Sequence, residues 1–219
     1  MKYFIANWKA NKNFQEVNSW IDSFFQQLQH RNNDGNVTII LCPPYPFIPL
    51  VRERVKIYPF IKIGSQDISM FDSGAYTGEV NAAMIKNIVN YAVIGHSERR
   101  TWFHETDEII AMKIKQAQTH GIEPILCVRN EQDNIPQRIR FVAYEPVEAI
   151  GTGKNEDVKK VIEMKKKMNL PSNGKFLYGG SVDDLNAKIY FESGEIDGFL
   201  VGSASLNPTS FYRIITNTI

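Results

Sequence analysis

The chain has 219 residues, 43% of them hydrophobic and 22% charged, with a formal net charge of +1. That length carries a full buried core, and the balanced charge offers no electrostatic case for nucleic acid or an anionic membrane, so an anion would need a focused site. No apolar run approaches the roughly 20 residues that span a bilayer, and the apolar part of "MKYFIANWKANK" is too short for a secretion signal; Cys42 and Cys127, read as buried thiols, make a reducing cytoplasm the expected home.

The predicted elements alternate along the chain. "YFIAN" at 3–7 reads as a strand, and in "FQEVNSWIDSFFQQLQ" the residues Phe14, Val17, Ile21, Phe24, Phe25 and Leu28 step by three and four, as on one helix face. Strand-like runs follow at 37–42 ("VTIILC"), 60–65 ("FIKIGS") and 91–96 ("YAVIGH"). "TDEIIAMKIKQAQTHG" opens on a Thr cap and closes at Gly121, as a helix should. After "IEPILCV" at 122–128, the stretch "VRNEQDNIPQRIRFVA" with Pro136 has room for a turn or two of helix at most. "RFVAYE" at 140–145 is a sixth strand, and "NEDVKKVIEMKKKMN" is expected to start on an Asn155 cap and to collect lysines in its last turns. "KFLYGG" at 175–180 and "IDGFLVG" at 196–202 complete the set. Cys42 and Cys127 end two of these runs and read as buried thiols, not as a disulfide framework.

The runs are rich in Val, Ile, Phe and Tyr without clean alternation, which suits parallel strands buried on both faces. Strand–helix alternation with no linker implies an α/β sheet, either doubly wound or closed. About eight units in so short a chain favour a single (β/α)8 barrel domain over residues 1–219, with a shortened connection after strand five.

Active residues of such a barrel sit at the C-terminal ends of its strands. There stand Asn7 and Lys9, then His96 and Glu98 in "GHSERR", then Glu145, then the glycine-rich "YGGSV" and "LVGSASL". Each has a plain alternative: a solvated Asn-x-Lys, the start of a capped helix, an ordinary loop. "AYEPVEAIGTGK" is neither a P-loop, since Glu148 takes a required glycine's place and Asn155 follows Lys154, nor a dinucleotide fingerprint, since Glu156 stands at its third glycine. "GHSERR" is no nucleophile elbow, because Arg99 replaces the needed glycine, and His96 with Glu98 lack the further ligands of a metal site. Gathered on one rim, the set fits proton transfer beside a carbonyl. A carboxylate such as Glu145 can act as base where burial raises its pKa towards working pH, and His96 with Lys9 can polarise a carbonyl and stabilise an enediolate. The glycine-rich loops hold a phosphate, and "PVEAIGTGK" forms a lid that excludes water.

Taken in order, "ANWKAN", "GAYTGEV", "VIGHSERR", "YEPVEAIGTGK", "YGGSV" and "LVGSASL" resemble the triosephosphate isomerase family from end to end. The resemblance implies a TIM barrel that interconverts dihydroxyacetone phosphate and D-glyceraldehyde 3-phosphate with no cofactor and no metal. It implies Glu145 as the base, His96 as a neutral imidazole polarising the carbonyl, Lys9 and Asn7 on the developing oxyanion, and Glu98 in support. Phosphate would rest on the backbone N–H groups of Gly151, Ser181, Gly202 and Ser203. "GAYTGEV" resembles a loop that enters a neighbour's active site, bringing Thr77 near Asn7 and Glu98, and so implies a homodimer. Shortened relatives form tetramers, which makes the tetramer the alternative assembly.

Four places depart from the family pattern. Glu148 stands in the lid where most members have tryptophan. Ser203 replaces the second glycine of a pair and would resist φ > 0. The connections after strand five and after the lid are short, and "CVRN" stands for "CVGE". Two other readings remain: a non-catalytic or moonlighting phosphate-binding barrel, and a Schiff-base aldolase. The first would show loss of Lys9, His96 or Glu145, all present; the second needs a lysine deep in "RFVAYE", which has none.

Overall fold

The computed structural model describes residues 1–29, 36–146 and 155–218. Its elements run β1 (Lys2–Asn7), α1 (Phe14–Leu28), β2 (Val37–Cys42), α2 (Ile48–Val55), β3 (Ile61–Ser65), α3 (Ala82–Ile85), β4 (Tyr91–Ile94), α4 (Ser97–Trp102) and α5 (Asp107–Thr119). They continue with β5 (Glu123–Val128), β6 (Phe141–Tyr144), α6 (Val158–Lys167), β7 (Lys175–Tyr178), α7 (Ala187–Glu192), β8 (Gly198–Val201) and α8 (Pro208–Thr216), with short 3-10 turns at Tyr45–Phe47 and Ser203–Leu206. The strands pair in parallel in chain order, and β8 returns to β1, so the sheet is a closed eight-stranded barrel. The expected (β/α)8 fold is the observed one.

Local chemistry accounts for most helix ends. Asn13 caps α1 in a reciprocal box with Glu16, each side chain bonding the other's backbone N–H. Thr106 caps α5, and Gly121 beyond its end has a φ of +71°. One cap differs from expectation. Asp157, not Asn155, caps α6, its side chain accepting from the Lys159 N–H. The reason is tertiary: the Glu156 N–H donates to the Tyr178 hydroxyl, and the Tyr190 hydroxyl donates to the Glu156 carbonyl. Those bonds hold the backbone outside the helix for two more residues.

The fifth connection stays within its expected limit of a turn or two of helix: residues 129–140 contain turns and no helix. Asp133 organises it instead. Its carboxylate accepts from the Arg129 backbone N–H at 2.7 Å and from the Arg129 guanidinium at 2.6 Å, with Arg100 4.0 Å away. Burial alone would raise the Asp133 pKa, but the Arg129 hydrogen bonds and the Arg100 charge outweigh it and hold the carboxyl below its ordinary value. The arginine of "CVRN" thereby has a structural task. Ile135 and Ile139 are buried beneath it and substitute for a helix face.

Two apolar layers result. Phe4, Ala6, Trp8, Ile39, Leu41 and Ile63 face the helices, whereas Tyr3, Ile5, Ile40, Cys42, Val93, Ile125, Cys127, Phe141, Ala143, Leu177 and Leu200 fill the barrel. The inward phase of period two carries on past the packed layers. After Tyr3 and Ile5 it reaches Asn7; after Phe141 and Ala143 it reaches Glu145.

The barrel closes on a glycine. Gly198 pairs with Tyr3, and a Cβ there would lie 2.0 Å from the Tyr3 carbonyl oxygen, so the strands could not approach. Gly198→Ala is expected to lower stability by about 3 kcal/mol and the calorimetric Tm by roughly 6–12 °C. A Tm change within a degree would show that the seam relaxes freely.

Candidate active site

At the C-terminal rim, Asn7, Lys9, His96, Glu145, Ser181, Gly202 and Ser203 line one cleft of about 360 Å³. Glu98 joins it through Lys9, whose Nζ is 2.5 Å from Glu98 Oε1. Of the other expected residues, Gly151, Glu148 and the lid stretch after Pro146 lie outside the described residues. Thr77 is exposed on the connection between β3 and α3 and does not line the cleft.

Lys9 reaches the cleft from a left-handed backbone, φ +52°, which a lysine adopts only under constraint. The constraint is visible. Its N–H donates to Asn7 Oδ1 at 3.1 Å, and Gln66 Nε2 donates to the Lys9 carbonyl and to the Cys42 carbonyl, both at 2.9 Å. Gln66 follows β3 and was not singled out from sequence; only folding brings it to Lys9.

His96 and Glu145 form the buried centre. Glu145 is 1% exposed, its Oε1 lies 2.9 Å from His96 Nε2, and its Oε2 accepts the Ser97 backbone N–H at 2.8 Å. His96 is the N-cap of α4, and its Nδ1 accepts the Glu98 backbone N–H at 3.2 Å. A nitrogen that accepts carries no proton, so the ring's proton sits on Nε2 and points at Glu145. Burial lowers the His96 pKa, but the charge and hydrogen bond of Glu145, with Glu98 adding to them, outweigh it and raise it above the ordinary 6.5. For Glu145, burial works upward, while the His96 charge and hydrogen bond and the Ser97 N–H bring it below the ordinary 4.5.

Behind α4 lies a buried charge cluster. Arg99 Nε contacts Glu105 at 2.5 Å and Asp67 at 3.0 Å, and Lys113 Nζ contacts both Asp67 oxygens, at 2.6 and 2.7 Å, and Glu105 at 2.5 Å. Burial pushes Asp67 up to about 6 against the opposing pull of Lys113 and Arg99. Two acids and two bases neutralise one another there and anchor the helix that presents His96 and Glu98.

The opposite wall is backbone. Gly179 lets Glu145 pass, since a Cβ there would stand 3.0 Å from Glu145 Cγ. Asn186 fixes the turn after β7, accepting from the Asp183 N–H at 3.0 Å and donating to the Ser181 carbonyl at 3.0 Å. Ser203 opens the 3-10 turn after β8 and is not among the residues with positive φ, so serine meets no penalty at the glycine position. Asn186 and Asp183 carried no signal of their own in the sequence, whereas Gly179 lay inside "YGGSV". A cleft with a carboxylate and an imidazole, a lysine, and the backbone of the turns after β7 and β8 along its lining suits proton transfer on a small anionic substrate.

Comparison with known proteins agrees with that chemistry. The family model described as Triosephosphate isomerase matches residues 2–140 and 134–218. A protein named triosephosphate isomerase from Trichodesmium erythraeum is 36% identical, covering 96% of this chain and 96% of its own length. Proteins of the same name from Hahella chejuensis and Dictyoglomus thermophilum are each 35% identical over 98% of this chain, covering 97% and 98% of their own.

The pair of shifts sets a pH prediction. The raised His96 contributes stability fully present below pH 6.5 and lost as pH rises through its folded value; the lowered Glu145 contributes stability present above pH 4.5 and lost as pH falls. The stability of the wild type over Glu145→Gln is expected to be largest between those values. By NMR titration His96 should fall from above 6.5 to below it in that variant. An unchanged His96 titration would show that Glu145 is not its partner.

Proposed function

This chain belongs to the triosephosphate isomerase family, and from that membership and the rim geometry we propose how it interconverts dihydroxyacetone phosphate and D-glyceraldehyde 3-phosphate. The contact between His96 and Glu145 carries the reading. The base is held down by His96 and by the Ser97 N–H, so it is a poor proton acceptor until substrate competes for it. When Glu145 turns to the substrate, its pull on the ring is gone. Burial, the largest influence on the ring, then favours a neutral imidazole together with the Lys9 charge and the Glu98 N–H, against the remaining upward pull of the Glu98 carboxylate.

Glu145 takes a proton from the carbon beside the carbonyl and returns it to the former carbonyl carbon, while the hydroxyl proton passes from one substrate oxygen to the other by way of His96, so one C–H and one O–H bond break and one of each forms with no net redox change. The developing enediolate oxygens are met by the Nε2–H of His96, the Lys9 ammonium and the Asn7 side chain, with Glu98 holding Lys9 in place. The phosphate rests on backbone N–H groups of Ser181, Gly202 and Ser203; the family resemblance adds that of Gly151, which lies outside the described residues. No step calls for a metal or an organic cofactor. The reaction belongs to glycolysis and gluconeogenesis, which is the ground for a cytoplasmic home. Glu145→Gln, assayed for glyceraldehyde 3-phosphate conversion with coupled detection of dihydroxyacetone phosphate, is expected to lower kcat by about 10^2–10^4-fold. Unchanged activity would rule out Glu145 as the base. An inactive wild type would favour the non-catalytic barrel.

The same reading makes the enzyme a homodimer. Thr77 is exposed beside Tyr76, which is 43% exposed and stacked on Phe71 at 4.0 Å, so the connection after β3 stands ordered yet uncovered. In a dimer Thr77 of each copy enters the other's cleft near Asn7 and Glu98. Sedimentation is expected to give twice the chain mass of 25.0 kDa, and Thr77→Arg to shift it toward the monomer with loss of activity. A tetramer is the alternative outcome; a fully active monomer would exclude the exchange.

A further inference from the structure

The connection after β1 holds a residue that the reaction as described does not use. Lys12 has a φ of +76°, in the left-handed region that favours glycine. Its side chain crosses the rim, where Nζ donates to the Leu206 carbonyl at 2.9 Å and lies 5.3 Å from the centre of the Trp8 ring. Leu206 is the last residue of the 3-10 turn that Ser203 opens.

Carbonyls at both ends of that turn are taken up. Gly202 O accepts from the Ser205 N–H at 2.8 Å and the Ser205 hydroxyl at 2.7 Å. Ser205 O accepts from the Trp20 indole N–H at 3.0 Å, and Leu206 O from Lys12. Lys12 and Trp20 both belong to the β1–α1 segment, which also sends Lys9 over the turn's other end: a Cβ on Gly202 would lie 3.6 Å from Lys9 Nζ. One segment therefore grips the turn at both ends. A glycine at position 12 would relieve the backbone, but only a long cationic side chain spans to Leu206. Strain of this kind persists where the surroundings over-determine it. Burial lowers the Lys12 pKa, with Glu16 opposing; the Glu16 carboxylate is itself engaged by the Asn13 N–H at 2.8 Å.

We propose that Lys12 is a positioning residue for the phosphate end of the cleft: by holding the Leu206 carbonyl it sets the Gly202–Ser203 backbone that lines the cleft. The inference rests on the isomerase reading for the identity of the phosphate ester. Through charge-assisted bonding it fixes the orientation of the cradle without touching the reacting carbons.

The test compares wild type with Lys12→Met, Lys12→Gly and Lys12→Arg. The readouts are kcat and KM for glyceraldehyde 3-phosphate, turnover of unphosphorylated glyceraldehyde, and inorganic phosphate binding by calorimetry. Lys12→Met and Lys12→Gly are expected to raise KM and to weaken phosphate binding, each about tenfold. In both, kcat and glyceraldehyde turnover should stay within about twofold, and Lys12→Arg should recover most of the loss. Phosphate binding unchanged in Lys12→Met overturns the proposal, as does a parallel loss on unphosphorylated glyceraldehyde, which would mark general loosening. Should Lys12→Met not fold, Lys12→Gly and Lys12→Arg decide on the same readouts. A wild type that binds phosphate but does not isomerise would refute the isomerase reading while the phosphate data still decide Lys12. A wild type that binds no phosphate overturns the proposal, since there is then no cradle to set.

Discussion

Everything at the rim depends on closure of the sheet between β1 and β8. Tyr3 to Ala6 pair with Gly198 to Val201, and the approach is close enough that one added carbon at Gly198 would collide with the opposing backbone. Closure fixes which side chains point inward, because period two along a paired strand leaves no freedom of phase. Along β1 and β6, Asn7 and Glu145 are the first polar residues on that inward phase. They face each other across the top of a filled core because the apolar residues beneath them already do.

Polar groups so placed need partners, and the site supplies them largely from itself. Glu145 is buried yet ionised because His96 and the Ser97 N–H meet both its oxygens. His96 is held in one tautomer by the helix turn that follows it. Lys9 keeps an unfavourable backbone because Gln66 ties its carbonyl to that of Cys42, the last residue of β2. Glu145 and His96 thus hold one another, and the Ser97 N–H, the Glu98 N–H and Gln66, which take no direct part in the chemistry, complete their immobilisation and that of Lys9. That immobility is what electrostatic preorganisation requires.

The fifth connection shows how a barrel tolerates shortening. A crossover must return the chain to the start of the next strand, and a helix is the usual way to satisfy its backbone on the journey. Here turns take the helix's place: the Asp133 carboxylate accepts the Arg129 N–H and draws Arg129 and Arg100 around it, Asn130 and Pro136 take up further N–H groups, and Ile135 and Ile139 are buried. β5 and β6 still pair in full register from Ile125–Phe141 to Val128–Tyr144. The trimming therefore leaves Glu145, the next residue along, in its place.

The residues alone determined the strands and most of the helices, since burial on both faces and period 3.6 are local patterns. They also marked the candidate site, because rare polar residues at the ends of apolar runs stand out against their surroundings. Asn7, Lys9, His96, Glu145, Ser181, Gly202 and Ser203 were all legible in that way. What the pattern missed was whatever depended on distant partners. Asn155 looked like a cap but gave way to Asp157, because tyrosines from β7 and α7 claim the intervening backbone. Gln66, Asn186 and Lys12 look like ordinary surface residues until folding sets them against carbonyls of Lys9, Ser181 and Leu206. Period and composition report the environment of a residue's own segment. A hydrogen bond across 194 positions of sequence, such as that from Lys12, exists only once the barrel has closed.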